Sequence, residues 1–153
     1  MSEFSLTSRD FNEGEEIPKK CGYKHGNEEP HIDFIPGEPS APWAMIMDDP
    51  DAMKAVGKVW VHWLRIWNTD GGGSFTAGKN DFGEIGYGGP APPDGRHTYV
   101  FKLYELDTDL DLKEGFSKQE LEDAMKGHII EQATLTGTYI DTADDKATHF
   151  AAP

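Results

Sequence analysis

The sequence predicts a single, mainly β domain. Three observations carry this. Several apolar segments follow the two-residue period of a strand, only one segment carries a complete helix-start signal, and no strand–helix alternation supports a doubly wound parallel sheet. The length of 153 residues suits one domain and is too short for two ordinary ones. Residues 1–153 are therefore read as one domain, with 1–16 and 141–153 expected to be loosely ordered.

Taken in order, Phe4 with Leu6 and Ile32 with Phe34 suggest two short strands. Pro42–Met47 is an apolar run closed by the turn signal Asp48-Asp49-Pro50-Asp51, which predicts a buried strand. In Val59–Trp67, Val59, Val61 and Trp63 fall on one face and Trp60, His62, Leu64 and Ile66 on the other. Both faces are apolar, so this strand is expected to be central and covered on each side. Asn68–Gly95 is rich in glycine and proline, including Gly88-Gly89-Pro90, and reads as a long loop; such loops in compact domains are usually functional. Thr98–Leu106 is an aromatic-rich strand, followed by an acidic turn region to Lys113. Ser117 and Glu120 have capping-box spacing, Phe116 and Leu121 the positions of a hydrophobic staple, and Leu121, Ala124, Met125, His128 and Ile129 recur at helical spacing. Gly127 should weaken or end that helix. Ala133–Ile140 alternates as a last strand.

Composition first suggests disorder. Leu, Ile, Val and Phe make up 19% of the chain and the net charge is −14. The 11% aromatic content argues against it, because a disordered chain has no core in which to bury rings. The charge is also uneven: residues 1–42 carry −5, residues 43–104 carry −1 and residues 105–153 carry −8. All four Trp lie in the near-neutral middle, which locates the expected core. A surface this acidic repels nucleic-acid phosphates and anionic lipid heads. No apolar run approaches the roughly 18–20 residues of a spanning helix. The N-terminus has no basic flank or apolar signal region, and Cys21 is the only cysteine, so no internal disulfide can form. A cytoplasmic protein is the default expectation.

Familiar motifs fail on inspection. Gly73–Asn80 nearly spells a phosphate-binding loop, but Asn80 stands where the metal-binding hydroxyl belongs and no helix pattern follows. Asp81-Phe82-Gly83 spells a kinase triplet in a chain too short for a kinase. There is no nucleophile elbow, zinc helix or cysteine pair. What remains is Asp49, Asp51, His62 and His97, with Tyr99 just beyond, at the ends of or inside the most apolar segments. His97 and Tyr99 share one strand face. Each has an ordinary structural reading: a satisfied core histidine, an Asp-Pro-Asp turn, a strand tyrosine with its hydroxyl at an edge. The functional reading has them meet in one pocket. There imidazole and phenol donate to a phosphate-like anion, while the carboxylates orient the histidines or receive a ligand cation. Free backbone N–H groups of Gly88-Gly89-Pro90 would complete the anion site.

These residues also carry a family resemblance. Asp48-Asp49-Pro50-Asp51-Ala52, Trp60-Val61-His62-Trp63, Asn80–Gly83 and Gly86–Tyr104, in this order, resemble the phosphatidylethanolamine-binding protein (PEBP) family, most closely its prokaryotic Raf kinase inhibitor-like branch. Ala124–Tyr139 is similar to that branch's last helix and strand. The resemblance implies a β-sandwich with a large antiparallel sheet, a few peripheral helices and a small pocket. That pocket would bind phosphate or a phosphorylated small molecule or lipid head group. The matching positions are Asp49, Asp51, His62, Pro90, His97 and Tyr99, with Gly89 beside them. It further implies a non-enzymatic binding role, or a module that inhibits a kinase or protease; the residues themselves show no cofactor motif, and none is expected. A hydrolase using His62 or His97 as base lacks a visible nucleophile. An Asp/His metal site would suit zinc or manganese, but no spacing demands one. The sequence leaves oligomeric state open, with Trp67, near a strand end, as a candidate for a homodimer interface. Met53 and Thr98 stand where the family commonly has Pro and Arg; strand parity turns Thr98 away from His97 and Tyr99.

Overall fold

The computed structural model describes residues 4–37, 40–69 and 75–141. Strands β1 (Ser5–Thr7) and β2 (Asp33–Ile35) form a two-stranded antiparallel sheet. Strands β3 (Trp43–Asp49), β4 (Trp60–Trp67), β5 (Phe75–Ala77), β6 (His97–Leu106) and β7 (Ile129–Tyr139) form a five-stranded antiparallel sheet in the order β5-β4-β3-β6-β7. Helices α1 (Ala52–Val56) and α2 (Lys118–Met125) and a 3-10 turn at Lys19–Cys21 are peripheral. The protein is thus mainly β, with a large antiparallel sheet and few helices.

Two apolar layers cover the large sheet. On one face Trp43, Met45, Met47, Trp63, Phe101, Leu103 and Leu135 pack under Leu6, Phe11, Ile17 and Cys21. On the other, Ala44, Ile46, Leu64 and Ile66 pack under Leu110, Phe116, Leu121 and Met125. Strand β3 lies between β4 and β6 and is covered on both faces, so all seven of its residues are buried. Each large apolar side chain taken out of water there contributes about 1.5–3 kcal/mol.

Residues 4–16 differ from the loose N-terminus that the sequence suggests. Leu6 and Phe11 are buried, and residues 14–17 run along β7, with Gly14 N–H donating to Thr136 O and Ile17 N–H to Thr138 O. Gly137 makes this approach possible, because a Cβ there would meet Phe11 and Ile17 at 2.7 Å. The expected loose tail lies outside the described residues except for Asp141. Helix α2 has the expected capping box: Ser117 Oγ accepts from Glu120 N–H, and Ser117 N–H donates to Glu120 Oε1. It ends sooner than the periodicity suggests. Gly127 has φ +84°, a left-handed turn that closes the helix, so Ile129 opens β7 and His128 lies in the turn.

Candidate functional site

Strand β3 carries the first carboxylates. The sequence places Asp48 and Asp49 in a turn, yet both continue the strand and are buried, on opposite faces by strand parity. Asp48 meets Lys102 and Lys118 at 3.3 and 2.9 Å, which ties α2 to the sheet. Asp49 turns to the opposite face, where its Oδ2 lies 2.6 Å from His97 Nδ1. Asp51, at the start of α1, is exposed and accepts the Thr98 N–H at 2.8 Å.

His62 reaches the same face by an irregularity. Met47 pairs with Trp63 but Asp48 pairs with Val61, so His62 is the extra residue of a β-bulge. The bulge reverses the parity of the strand's first half. Val61 joins Leu64 and Ile66 on one face, and His62 turns to the Trp63 side, 5.2 Å from the Tyr99 ring. The expected grouping of Val61 with Trp63, and of His62 with Leu64, is therefore overturned. The phenyl ring of Phe82 flanks His62 at 5.7 Å.

The protonation states follow from the partners. His62 Nδ1 lies 2.6 Å from the Gly88 carbonyl, which only accepts, so Nδ1 carries the hydrogen and Nε2 is a bare acceptor. Burial pushes the His62 pKa down to about 4 against the pull of that bond, so the ring is neutral at pH 7. His97 is the opposite case. Its Nδ1 faces Asp49 and its Nε2 faces Asp94 Oδ1, both at 2.6 Å. Burial works against the charged ring, but the two carboxylates more than offset it and raise the pKa. Burial raises the Asp49 carboxyl despite the His97 bond. Burial and then the nearby Asp49 charge raise the Tyr99 phenol, which stays protonated and remains a donor.

The structure thus brings Asp49, His62, His97 and Tyr99 together at one end of three adjacent strands, fully or nearly buried. Three of their buried polar atoms, Asp49 Oδ1, His62 Nε2 and Tyr99 Oη, make no hydrogen bond of good geometry, although the Tyr99 hydroxyl and the Asp51 backbone lie near the Asp49 carboxylate. An open cleft of about 410 Å³ lies over His97, lined also by Pro50, Asp51, Lys54, Asp94 and Arg96. Gly89 and Pro90 are buried beside the site but do not line the cleft. Their expected role changes. The Gly88 N–H donates to His62 O and the Gly89 N–H to Asn27 Oδ1, so neither is free for an anion, and Pro90 has none. Gly89 is required by packing, since a Cβ would sit 2.0 Å from Cys21 O. The sequence reading missed Asp94. Its signal was the Asp94-Gly95 turn three residues before His97, which brings a carboxylate back over the ring. Among the described residues no group of three or more His, Cys, Asp or Glu side chains is placed to hold a metal.

Fold and site together define a class: a mainly β domain whose large sheet gathers buried His, Asp and Tyr side chains from three strands at one end. Within it, the model of the phosphatidylethanolamine-binding protein family matches residues 7–140, and the chain belongs to that family. It is 40% identical to a UPF0098 protein of Methanothermobacter thermautotrophicus, over 88% of this chain and 97% of that one. Among solved structures it is similar to the PEBP homologue CT736 of Chlamydia trachomatis, with a TM-score of 0.80 and 35% identity over 91% of this chain and 98% of that one. YbcL of E. coli, described as a new member of the mammalian PEBP family, matches with a TM-score of 0.77 and 26% identity over 90% and 98%.

Proposed function

We propose that the protein is a non-enzymatic binding protein for phosphate or for a phosphorylated small molecule or lipid head group. The site comprises the buried Asp49, His62, His97 and Tyr99, with Asp51 and His97 lining the open cleft over them and Gly89 and Pro90 packed beside them. The observation that carries this reading is the trio of buried atoms without a well-formed hydrogen bond at Asp49 Oδ1, His62 Nε2 and Tyr99 Oη. Leaving such groups unpaired costs about 1–3 kcal/mol each, which a ligand that pairs them recovers. A phosphate monoanion suits the set. Its charged oxygens accept from the Tyr99 hydroxyl, and its P–OH donates to His62 Nε2 or Asp49 Oδ1. A cationic group on a zwitterionic ligand would complement Asp49 instead. Nucleophilic catalysis has no support from Cys21, whose thiol is buried and pushed up to about 11.

Calorimetry with phosphorylethanolamine tests the reading. The wild type should give binding heat at or below millimolar ligand. Tyr99→Phe removes one donor to a charged group and should weaken binding roughly tenfold or more. His62→Ala should abolish it, with circular dichroism unchanged. Absence of heat from the wild type at millimolar ligand sinks the proposal.

A further inference from the structure

Asp94 stands out among the residues around the site. Its Oδ1 lies 2.6 Å from His97 Nε2, while Asp49 holds Nδ1 at the same distance. Both ring donors of His97 are thus spent on the protein's own carboxylates. The two carboxylates are not equivalent. Asp49 is fully buried on a central strand, whereas the Asp94 side chain is 49% exposed over a ring that is only 4% exposed. Asp94 sits in a loop between Pro93 and Gly95, whose φ of +124° lets the chain fold back over His97. It lines the open cleft together with Asp51, Lys54 and Arg96; Arg96 is paired with Glu16, so Lys54 is the cation that supports a released carboxylate there.

We propose that Asp94 is a built-in competitor: its carboxylate occupies the anion position on His97 Nε2, and an incoming anion must displace it to be held by His97. This rests on the proposed anion pocket and adds a selectivity device to it. The bond between Asp94 and His97 is charge-assisted, so only an anion that accepts from His97 and also satisfies the buried Tyr99 hydroxyl gains more than the displacement costs. A small carboxylate such as acetate merely replaces Asp94 like for like, whereas a phosphate has oxygens for both donors. The internal carboxylate therefore raises the threshold for weak anions and favours multidentate ones.

The test is a calorimetric titration of inorganic phosphate and of acetate into the full-length wild type, Asp94→Asn and Asp94→Ala, at about 0.05 M and about 1 M potassium chloride. Asp94 is half-exposed on a loop, so both variants should fold, which circular dichroism checks. Both should bind phosphate roughly three- to tenfold more tightly than the wild type, and acetate should gain at least as much. The gain should persist at about 1 M salt, where the Debye length is about 3 Å and a through-space charge effect is screened away. Equal or weaker phosphate binding by the variants, or a gain that vanishes in salt, overturns the competitor and leaves the pocket standing. Binding by none of the three proteins overturns the pocket and the competitor together. A second readout separates displacement from bystander charge. In long-range ¹H–¹⁵N spectra, the His97 Nε2 shift should differ between ligand-free wild type and Asp94→Asn but coincide once both are saturated with phosphate. A difference that survives saturation shows Asp94 still on the ring and overturns displacement.

Discussion

At the scale of single residues, the pKa values of two histidines of one site are driven in opposite directions by what touches them. His62 is buried with one carbonyl partner and is pushed toward the neutral form; His97 is buried between two carboxylates and is pushed toward the charged one. Their effects on stability have opposite signs. The unfolded chain protonates His62 near 6.5, but the folded state resists until about 4. Stability from this group is therefore complete above about 6.5, falls as pH drops through that window, and is fully lost below about 4. The loss is roughly 3 kcal/mol, from a shift of 1.36 kcal/mol per unit. His97 has a raised pKa, so its contribution is complete below the unfolded value and disappears as pH rises through the folded one. His62→Asn keeps an N–H for the Gly88 carbonyl and removes the titration. Urea-unfolding curves from pH 7 to 4 should fall less steeply for this variant than for the wild type, by about the stated amount. Parallel pH profiles would overturn the assignment.

At the scale of elements, the site depends on one irregularity and several regular features. Strand parity alone correctly puts His97 with Tyr99 and keeps Thr98 apart, because β6 pairs regularly with β7 through this region. It fails for His62, because a bulge adds one residue and reverses the face, and nothing in Trp60-Val61-His62-Trp63 announces a bulge. It fails also for Asp48 and Asp49. Their polarity reads as a turn, but partners distant in sequence, Lys102, Lys118 and His97, make burial tolerable. Short pieces such as α1 and β5, of five and three residues, carry too few side chains for a periodic signal. The capping box of α2 is the contrary case, a purely local code that was legible. It is also testable. Ser117→Ala should cost about 1 kcal/mol, read as a lower urea midpoint with an unchanged slope. A loss below about 0.3 kcal/mol would mean that the packing of Leu121 and Met125, and the tie from Lys118 to Asp48, hold the helix without its cap.

At the scale of the whole molecule, the chain combines a near-neutral centre with acidic flanks. The segment 43–104, at −1, supplies β3, β4, most of β6 and every proposed pocket residue, while the flanks contribute −5 and −8. This explains how a composition resembling that of a disordered chain still folds. The apolar and aromatic residues are concentrated where the sheet is built, and the surplus carboxylates lie mostly in segments that wrap it. No helix among the described residues is long and apolar enough to cross a membrane. The wrapping has an electrostatic cost, because 28 acidic groups against 14 basic ones repel one another more in the compact state than in the open chain. Salt screens that repulsion over about 10 Å at 0.1 M and about 3 Å at 1 M. The favourable pairs that matter most, Asp48 with its lysines and Asp49 with His97, are buried and are screened far less. Raising potassium chloride from about 0.05 M to about 1 M at pH 7 should therefore raise the melting temperature by several degrees, since about 1 kcal/mol corresponds to roughly 2–4 °C at this chain length. Chloride is the anion of choice because sulfate or phosphate would add exclusion effects or occupy the pocket. A melting temperature that stays flat or falls across this range would mean that surface ion pairs outweigh the excess negative charge, and that the acidic flanks stabilise the fold rather than strain it.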